Sequence, residues 1–176
     1  MVTDVKRAAD IIDHLRSLYR KDAIRERELV DLNEIACEMV VLLRSEASRY
    51  SISMRTQLAS DLPKINADRV QLQQVFMNLM LNAIEAMNEI GGELTVSSGQ
   101  TGDDQVLVSI QDTGIGLPTD KVDQIFSAFF TTKPQGTGMG LSISRTIIES
   151  HGGRLWAEGN DWRGATFHFT LPIDFG

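Results

Sequence analysis

The stretch "QLQQVFMNLMLNAIEAM", residues 71–87, decides the fold, because its apolar residues recur with the period of a helix. On a helical wheel at about 100° per residue, almost every position is apolar apart from one narrow row. This row consists of Gln71, Gln74, Asn78, Asn82, Glu85 and Glu89. A helix this apolar is covered on most of its sides. The stretch therefore predicts a long core helix from about Ala67 to Glu89.

The polar row of this helix faces either a narrow strip of solvent or a wet functional cavity. A solvent strip usually carries lysine and glutamate, whereas Asn78 and Asn82, one turn apart, are poor helix formers. Their presence favours the cavity. A carboxamide oxygen can serve as a single ligand for magnesium, which prefers oxygen and keeps much of its shell as water and phosphate.

The rest of the chain predicts further helices and strands around this core helix. Apolar periodicity predicts helices at 2–21 and 31–48, the second opened by a capping box of Asp31 and Glu34. Strands are predicted at 51–58, 93–98, 106–111, 154–158 and 165–171, a short helix near 121–126, and a further helix ending at Ser150. The body from residue 51 to 172 thus contains five strands and three main helices that do not strictly alternate. This order indicates the α+β class, with helices covering one face of a mixed sheet.

The composition indicates a globular protein without a membrane segment. Hydrophobic residues make up 42% and charged residues 23% of the chain, and no apolar run approaches the roughly 20 residues that span a bilayer. The net charge of −7 disfavours nucleic-acid binding. Residues 1–20 do not resemble a signal peptide, which predicts a cytoplasmic location. The single cysteine, Cys37, excludes an internal disulfide, and its apolar neighbours at helical spacing predict a core position.

A second signal is "DTGIG", residues 112–116, which directly follows a predicted strand. Asp112 at the strand end supplies a fixed acceptor, and Gly114 and Gly116 allow the chain to turn tightly against a flat ligand. The amine of adenine is a fitting donor, whereas guanine presents an acceptor there and would be rejected. The alternative is an ordinary turn aspartate with turn glycines.

A third signal is "KPQGTGMGLS", residues 133–142, in which three glycines precede a predicted helix. The spacing of Gly136, Gly138 and Gly140 does not match a dinucleotide fingerprint, and no Walker sequence is present. A flexible loop that leads into a helix N-terminus attracts phosphate through free amides and the helix dipole. Lys133 adds a positive charge just upstream. We therefore expect the backbone here to approach a phosphate chain.

Taken together, four segments resemble the N, G1, F and G2 boxes of sensor histidine kinases. They are "NLMLNAIEAM", "DTGIGLP", "IFSAFFTTK" and "GTGMGLSISRTIIESHGG", in that order and at approximately the spacing of the family. Over residues 68–171 the chain resembles the catalytic ATP-binding domain, and the last two segments are most similar to the nitrogen- and oxygen-sensing type. The wider group includes ATPases of the gyrase, mismatch-repair and heat-shock chaperone kinds. The resemblance implies a two-layer α/β sandwich of the Bergerat type, with three helices on one face of a mixed five-stranded sheet and an N-terminal helix before it.

The resemblance also implies a role for each matching residue. Asn82 matches the asparagine that binds Mg2+ and through it the phosphates, and Asn78 and Lys133 act beside it. Asp112 matches the aspartate that reads adenine. Residues 117–135 resemble a mobile lid anchored by three phenylalanines, Phe126, Phe129 and Phe130. The implied ATP site consists of Asn78, Asn82, Glu85, Asp112, Gly114, Gly116, Phe126, Thr132, Lys133, Gly136, Thr137, Gly138, Met139, Gly140 and Leu141.

The implied activity is phosphotransfer from ATP to a histidine. Hydrolytic relatives carry a glutamate where this chain has Asn78, and a carboxamide is a poor general base. None of His14, His151 or His168 has the sequence context of the family's acceptor histidine. Residues 1–30 resemble the second helix of the dimerisation hairpin with its linker, and residues 31–176 the catalytic domain.

The implied partners are a histidine-bearing hairpin helix and the receiver domain of a response regulator. We expect the chain to be a monomer or weak homodimer, because an isolated amphipathic helix is marginally stable without its mate. No contact with nucleic acid or membrane is expected. Two alternatives remain open: a hydrolytic clamp of the gyrase or chaperone kind, and a nucleotide-dependent interaction module or anti-sigma serine kinase.

Overall fold

The computed structural model describes residues 27–102, 104–118, 120, 122–127 and 139–173. The helix predicted at 2–21, which includes His14, lies outside this part of the chain. Also outside it are Phe129, Phe130, Thr132, Lys133, Gly136, Thr137 and Gly138. In the described part, none of the helices is long and apolar enough to cross a lipid bilayer.

The described residues form helices packed on a mixed sheet. The helices are α1 (Leu32–Arg49), α2 (Arg69–Ala86) and α3 (Gly140–Ser150). The strands are β1 (Glu28–Val30), β2 (Ile52–Gln57), β3 (Ile65–Ala67), β4 (Gly92–Thr101), β5 (Gln105–Asp112), β6 (Arg154–Gly159) and β7 (Ala165–Pro172). Five strands make one sheet in the order β2-β4-β5-β7-β6, with β2 and β4 parallel and the other neighbours antiparallel. The predicted α+β class and mixed five-stranded sheet are confirmed.

The sheet buries one face against the helices and leaves its other face partly exposed. Val96 and Val108 are at most 1% exposed, whereas Ser109, the next residue along β5, is half-buried. Because successive side chains of a strand point to opposite faces, this alternation places the helices on one side. Phe76 of α2 meets Phe169 of β7 edge to face, with ring centroids 5.5 Å apart. The core therefore lies between α2 and the middle of the sheet.

Helices α1 and α2 both begin at an aspartate. The carboxylates of Asp31 and Asp68 accept hydrogen bonds of 2.9 and 3.2 Å from backbone N–H groups of the following turn, which satisfies donors that have no partner within the helix. Glu34, predicted as the second member of a capping box, instead forms an ion pair of 3.5 Å with Arg69 at the start of α2. This exposed contact links the N-terminal turns of the two helices.

Two local predictions are wrong. Cys37 is exposed, because the buried stripe of α1 includes Ala36 and Val40, and Cys37 lies about 100° around the helix from Ala36. The short helix predicted near 121–126 is a series of turns over residues 122–126. The sequence also did not predict β1 and β3, three-residue strands that pair antiparallel with Val30 opposite Ile65.

Candidate functional site

The polar row of α2 meets the first turns of α3. Asn78 is 6% exposed, and its Nδ2 donates to the backbone O of Gly140 at 3.3 Å and to Oγ of Ser144 at 3.2 Å. Asn82 and Glu85 follow on the same row and are half-buried. The row is therefore not a solvent strip at Asn78, where it is buried against α3; the functional cavity stays a prediction.

Asp112 is the last residue of β5 and is 2% exposed. Its Oδ1 accepts hydrogen bonds from the backbone N–H groups of Gly114 at 2.9 Å and Ala165 at 3.3 Å. Two amides from different parts of the chain thus fix the direction of the carboxylate. The bond from the amide two residues on is also that of a turn aspartate, so the burial and fixed orientation suit an acceptor for a ligand, and the ligand-reading role stays a prediction.

The loop after Asp112 rests on the C-terminal end of α2. The backbone N–H of Ile115 donates to the O of Ala86 at 3.1 Å. A Cβ added to Gly114 would lie 2.4 Å from that same oxygen, so only glycine allows this close approach. Gly116 lies next, against Gly164 of the loop between β6 and β7. Both glycines of the "DTGIG" stretch therefore lie where backbone meets backbone.

Helix α3 starts directly beside Asn78. Its N-cap residue is Met139, and a thioether is a weak acceptor compared with the usual Ser, Thr, Asp or Asn. Gly140 is the first helical residue and Leu141, the second, packs partly buried against the core. The N-terminus of a helix carries partial positive charge and backbone donors, which suit phosphate oxygens. This end of α3 is consistent with the predicted phosphate contact.

Helix α2 contacts both of the other segments that the sequence pointed to, the "DTGIG" stretch and the start of α3. Asn78 contacts the start of α3, and Ala86 contacts the loop that follows Asp112. These two contacts are eight residues apart, or about 12 Å along the helix axis, and Asn82 lies midway between them. The described part of the predicted site is therefore contiguous, with a phosphate-binding helix end on one side and a buried carboxylate on the other.

Phe126 lies at the middle of the predicted lid, residues 117–135. It is 7% exposed, and its ring meets the ring of Phe167 of β7 edge to face, with centroids 6.3 Å apart. The guanidinium of Arg145 of α3 lies over the Phe126 ring at 5.4 Å from its centroid. These contacts fix Phe126 against β7 and α3. They give Phe126 a packing role, and its contact with ATP stays a prediction.

The donor set near α2 fits a magnesium ion that is bound together with phosphate. Among the residues that the structure describes, no group of three or more His, Cys, Asp or Glu side chains could hold a metal ion. The half-buried Asn82 makes no side-chain hydrogen bond within the same residues, so its carboxamide oxygen is available. Mg2+ commonly takes one or two protein oxygens and completes its shell with phosphate and water. Asn82 is therefore a suitable protein ligand.

Several residues of the site were not predicted from the sequence. Ser144 is fully buried and holds Asn78, and the amide of Ala165 holds Asp112. Asn160 donates to the backbone O of Asp112 at 3.1 Å. These contacts join residues 48 to 66 positions apart, so no local pattern could reveal them. The one available signal was "NDWRG", residues 160–164, whose Asn and Gly mark a turn close to the last strand.

Comparison with known proteins agrees with this geometry. Residues 67–174 match the model of the family described as histidine kinase-, DNA gyrase B-, and HSP90-like ATPase. The chain is 43% identical over 167 residues to the sensor protein FixL of Bradyrhizobium diazoefficiens, a match that covers 94% of this chain and 33% of FixL. The chain thus spans about a third of the length of that curated relative.

Solved structures give a similar result. The catalytic domain of the histidine kinase ThkA superposes with a TM-score of 0.74 at 39% identity, covering 84% of this chain and 95% of that one. ThkA in complex with the response regulator protein TrrA gives a TM-score of 0.80 at 32% identity over 98% of this chain and 49% of the other.

Proposed function

The chain belongs to the histidine kinase-, DNA gyrase B- and HSP90-like ATPase family and contains the ATP-binding catalytic domain of a sensor histidine kinase, and from this premise we propose which residues bind Mg-ATP and where its phosphate goes. The nucleotide lies along α2, and its γ-phosphate passes to a histidine on a dimerisation hairpin. The observation that carries the proposal is the alignment along α2 of Asn78, Asn82 and the loop that follows Asp112.

The adenine end of the nucleotide lies at Asp112. Its buried carboxylate is held by two backbone amides, so it accepts a hydrogen bond from the exocyclic amine without reorganising. A guanine would place its carbonyl oxygen against this carboxylate and leave both acceptors unpaired, which is strongly unfavourable in a buried site. Gly114 and Gly116 shape the floor of this site.

The phosphate end lies between Asn82 and the start of α3. We propose that the first-turn amides of α3, from Gly140 and Leu141, bind the phosphate oxygens. Lys133, Thr132 and the glycine-rich segment 136–138, which lie outside the described residues, are proposed to bind them as well. Mg2+, held by Asn82 and the phosphates, would neutralise phosphate charge in the transition state. Magnesium binding by Asn82 is supported by its side chain, which makes no hydrogen bond within the described residues, and by its position midway between Asn78 and Ala86 on α2.

The chemistry proposed is direct transfer of a phosphoryl group. An imidazole nitrogen of the acceptor attacks the γ-phosphorus in line, the bond to the β–γ bridging oxygen breaks, and ADP leaves with that oxygen. Asn78 cannot take a proton from water, because it is a carboxamide whose NH2 group already donates to Gly140 and Ser144. ATP therefore persists until a histidine is presented, and catalysis depends on positioning.

The proposal extends to the partner of the domain and to its location in the cell. ThkA was solved in complex with the response regulator protein TrrA, and by analogy we expect the phosphate that this chain transfers from ATP to pass on to a receiver domain. We place the domain in the cytoplasm, where ATP is supplied. We also propose that the chain belongs to the nitrogen- and oxygen-sensing type, and the match to the sensor protein FixL supports this proposal.

The test combines binding with transfer. Mg-ATP binding is measured by calorimetry, and radiolabelled ATP is then supplied with a separately produced hairpin of a related sensor kinase. We expect binding, negligible phosphate release without acceptor, and acid-labile label on the hairpin histidine. Asp112→Asn, which weakens a charged acceptor, should reduce both binding and labelling. Steady phosphate release without acceptor would indicate a hydrolytic clamp, and binding without transfer an interaction module; absence of binding would exclude all three.

A further inference from the structure

The loop between β6 and β7, residues 160–164, is folded against the end of β5. The loop is closed by a hydrogen bond of 3.0 Å from the backbone N–H of Asn160 to the O of Gly164. Trp162 at its tip is 99% exposed, so the tip makes little contact with the domain. What holds the loop in place is therefore its two ends, and both ends contact Asp112.

The first end contacts Asp112 through the carboxamide of Asn160. Its Nδ2 donates to the backbone O of Asp112 at 3.1 Å and to that of Arg163 at 3.4 Å, and its Oδ1 accepts from Oγ1 of Thr166 at 2.7 Å. Backbone carbonyls only accept, so the NH2 group must face them and the oxygen must face Thr166. The amide orientation is thus defined, and every polar atom of the side chain is used.

The second end contacts Asp112 through the backbone. Gly164 has a φ of 88°, and a Cβ there would lie 2.0 Å from the O of Asp112 and 2.9 Å from its Oδ1. The next amide, that of Ala165, donates to Oδ1 at 3.3 Å. Asp112 is therefore fixed twice, at its backbone oxygen through Asn160 of the loop and at its carboxylate through Ala165, the residue that follows the loop.

From these contacts we infer that Asn160 is a positioning residue for nucleobase selection, an inference that rests on the proposed function. Asn160 holds the backbone of Asp112, and with it the carboxylate, at the place where an exocyclic amine is read. Since the direction of a hydrogen bond decides its strength, a small displacement of Asp112 weakens recognition of the amine more than it weakens recognition of the phosphates. Asn160 therefore contributes to selectivity for adenine rather than to general nucleotide affinity.

The experiment compares two nucleotides on the full chain. ATP is compared with purine riboside triphosphate, which lacks the 6-amino group, and both affinities are measured by calorimetry or competition. Asn160→Ala should lower the affinity for ATP by about 3- to 10-fold, which is the effect of losing one hydrogen bond. The affinity for purine riboside triphosphate should change by less than about twofold. Asn160→Asp keeps an acceptor for Thr166 but removes both donors, so its loss of preference for ATP should be at least as large.

A matched control comes from the same loop. Asp161 is exposed, and Asp161→Ala should keep the wild-type ratio of the two affinities. Folding of each variant is checked by its melting temperature. If the Asn160 variants do not fold, Thr166→Val removes the hydroxyl that orients the amide and should lower the same ratio by a smaller factor.

The outcomes separate this inference from the function on which it rests. Selective loss of ATP affinity in the Asn160 or Thr166 variants supports the inference. Equal loss for both nucleotides, or no loss in a folded variant, overturns it and leaves the proposed function intact. A wild-type chain that binds the two nucleotides equally well would overturn the adenine-reading role of Asp112 itself.

Discussion

Asn78 and Asn82 are the same residue type one turn apart, yet their surroundings give them different tasks. Asn78 is 6% exposed and donates to the backbone of α3 and to Ser144, so its amide is committed to joining two helices. Asn82 is half-buried, and within the described residues its side chain makes no hydrogen bond. The first residue therefore aligns the helices, and the second remains available for a magnesium ion or a phosphate.

This difference leads to a prediction for Asn82→Ala. Because the carboxamide oxygen is proposed to act through magnesium, we expect Mg-ATP affinity to fall by roughly 10-fold, the effect of losing one interaction with a charged group. Affinity for magnesium-free ATP should change by less than about twofold. Calorimetry with and without magnesium measures both values, and Asn88→Ala, an exposed asparagine just after α2, is the matched control. Equal losses with and without magnesium would remove the metal role from Asn82.

At the scale of elements, α2 and the loop after β5 are held together by direct backbone contact. A Cβ at Gly114 would lie 2.4 Å from the O of Ala86 and 2.9 Å from its Cβ. Gly114→Ala must therefore push the loop away from α2 and shift Asp112 with it. We expect a loss of about 1–3 kcal/mol in the free energy of unfolding, typical of overpacking, and a clear loss of ATP affinity.

The matched control for this prediction is Gly99→Ala in β4, where a Cβ would meet no atom within 4 Å. Removing a glycine from a strand at an open position should leave stability unchanged or slightly higher. Chemical denaturation and calorimetry of the two variants measure both quantities. If Gly114→Ala bound ATP as the wild type does, the loop would not depend on its contact with α2.

The elements that the sequence predicted are those whose signal is local. The strand and helix positions around the core follow from side-chain periodicity, which needs only neighbouring residues, and the structure confirms them within a few residues. Strands β1 and β3 have three residues each and exist through their pairing, which no local pattern contains. The same reason explains the exposed Cys37: helical spacing showed an apolar neighbourhood but not which side of α1 faces α2.

In the candidate site, too, residues with a local sequence signal were predicted and residues that act through long-range contacts were not. Asp112, Asn78 and Asn82 could be named from the sequence, because an unusual residue stood in an otherwise apolar or strand-end position. Their supports could not, since Ser144 and Asn160 contact them from 66 and 48 residues away. Residues proposed to contact a ligand could thus be predicted from the sequence, whereas the residues that orient their side chains could not.

At the scale of the whole molecule, the proposed nucleotide contacts three elements that are distant in sequence: α2, the end of β5 and the start of α3. A ligand that binds only the folded state stabilises it in proportion to its concentration over its dissociation constant. Since each of these elements also belongs to the common core around Phe76 and Phe169, local binding should stabilise the domain as one unit.

We therefore predict that Mg-ATP raises the melting temperature of the full chain. At about 100 times the dissociation constant the gain is about 2.7 kcal/mol, which for a domain of this size corresponds to a shift of roughly 5–10 °C. Thermal unfolding followed by circular dichroism measures the shift. Mg-GTP at the same concentration should give a much smaller one, because its carbonyl oxygen faces the Asp112 carboxylate. Equal shifts with both nucleotides would show that binding does not involve reading of the base, and no shift with Mg-ATP at saturating concentration would contradict nucleotide binding between α2 and α3.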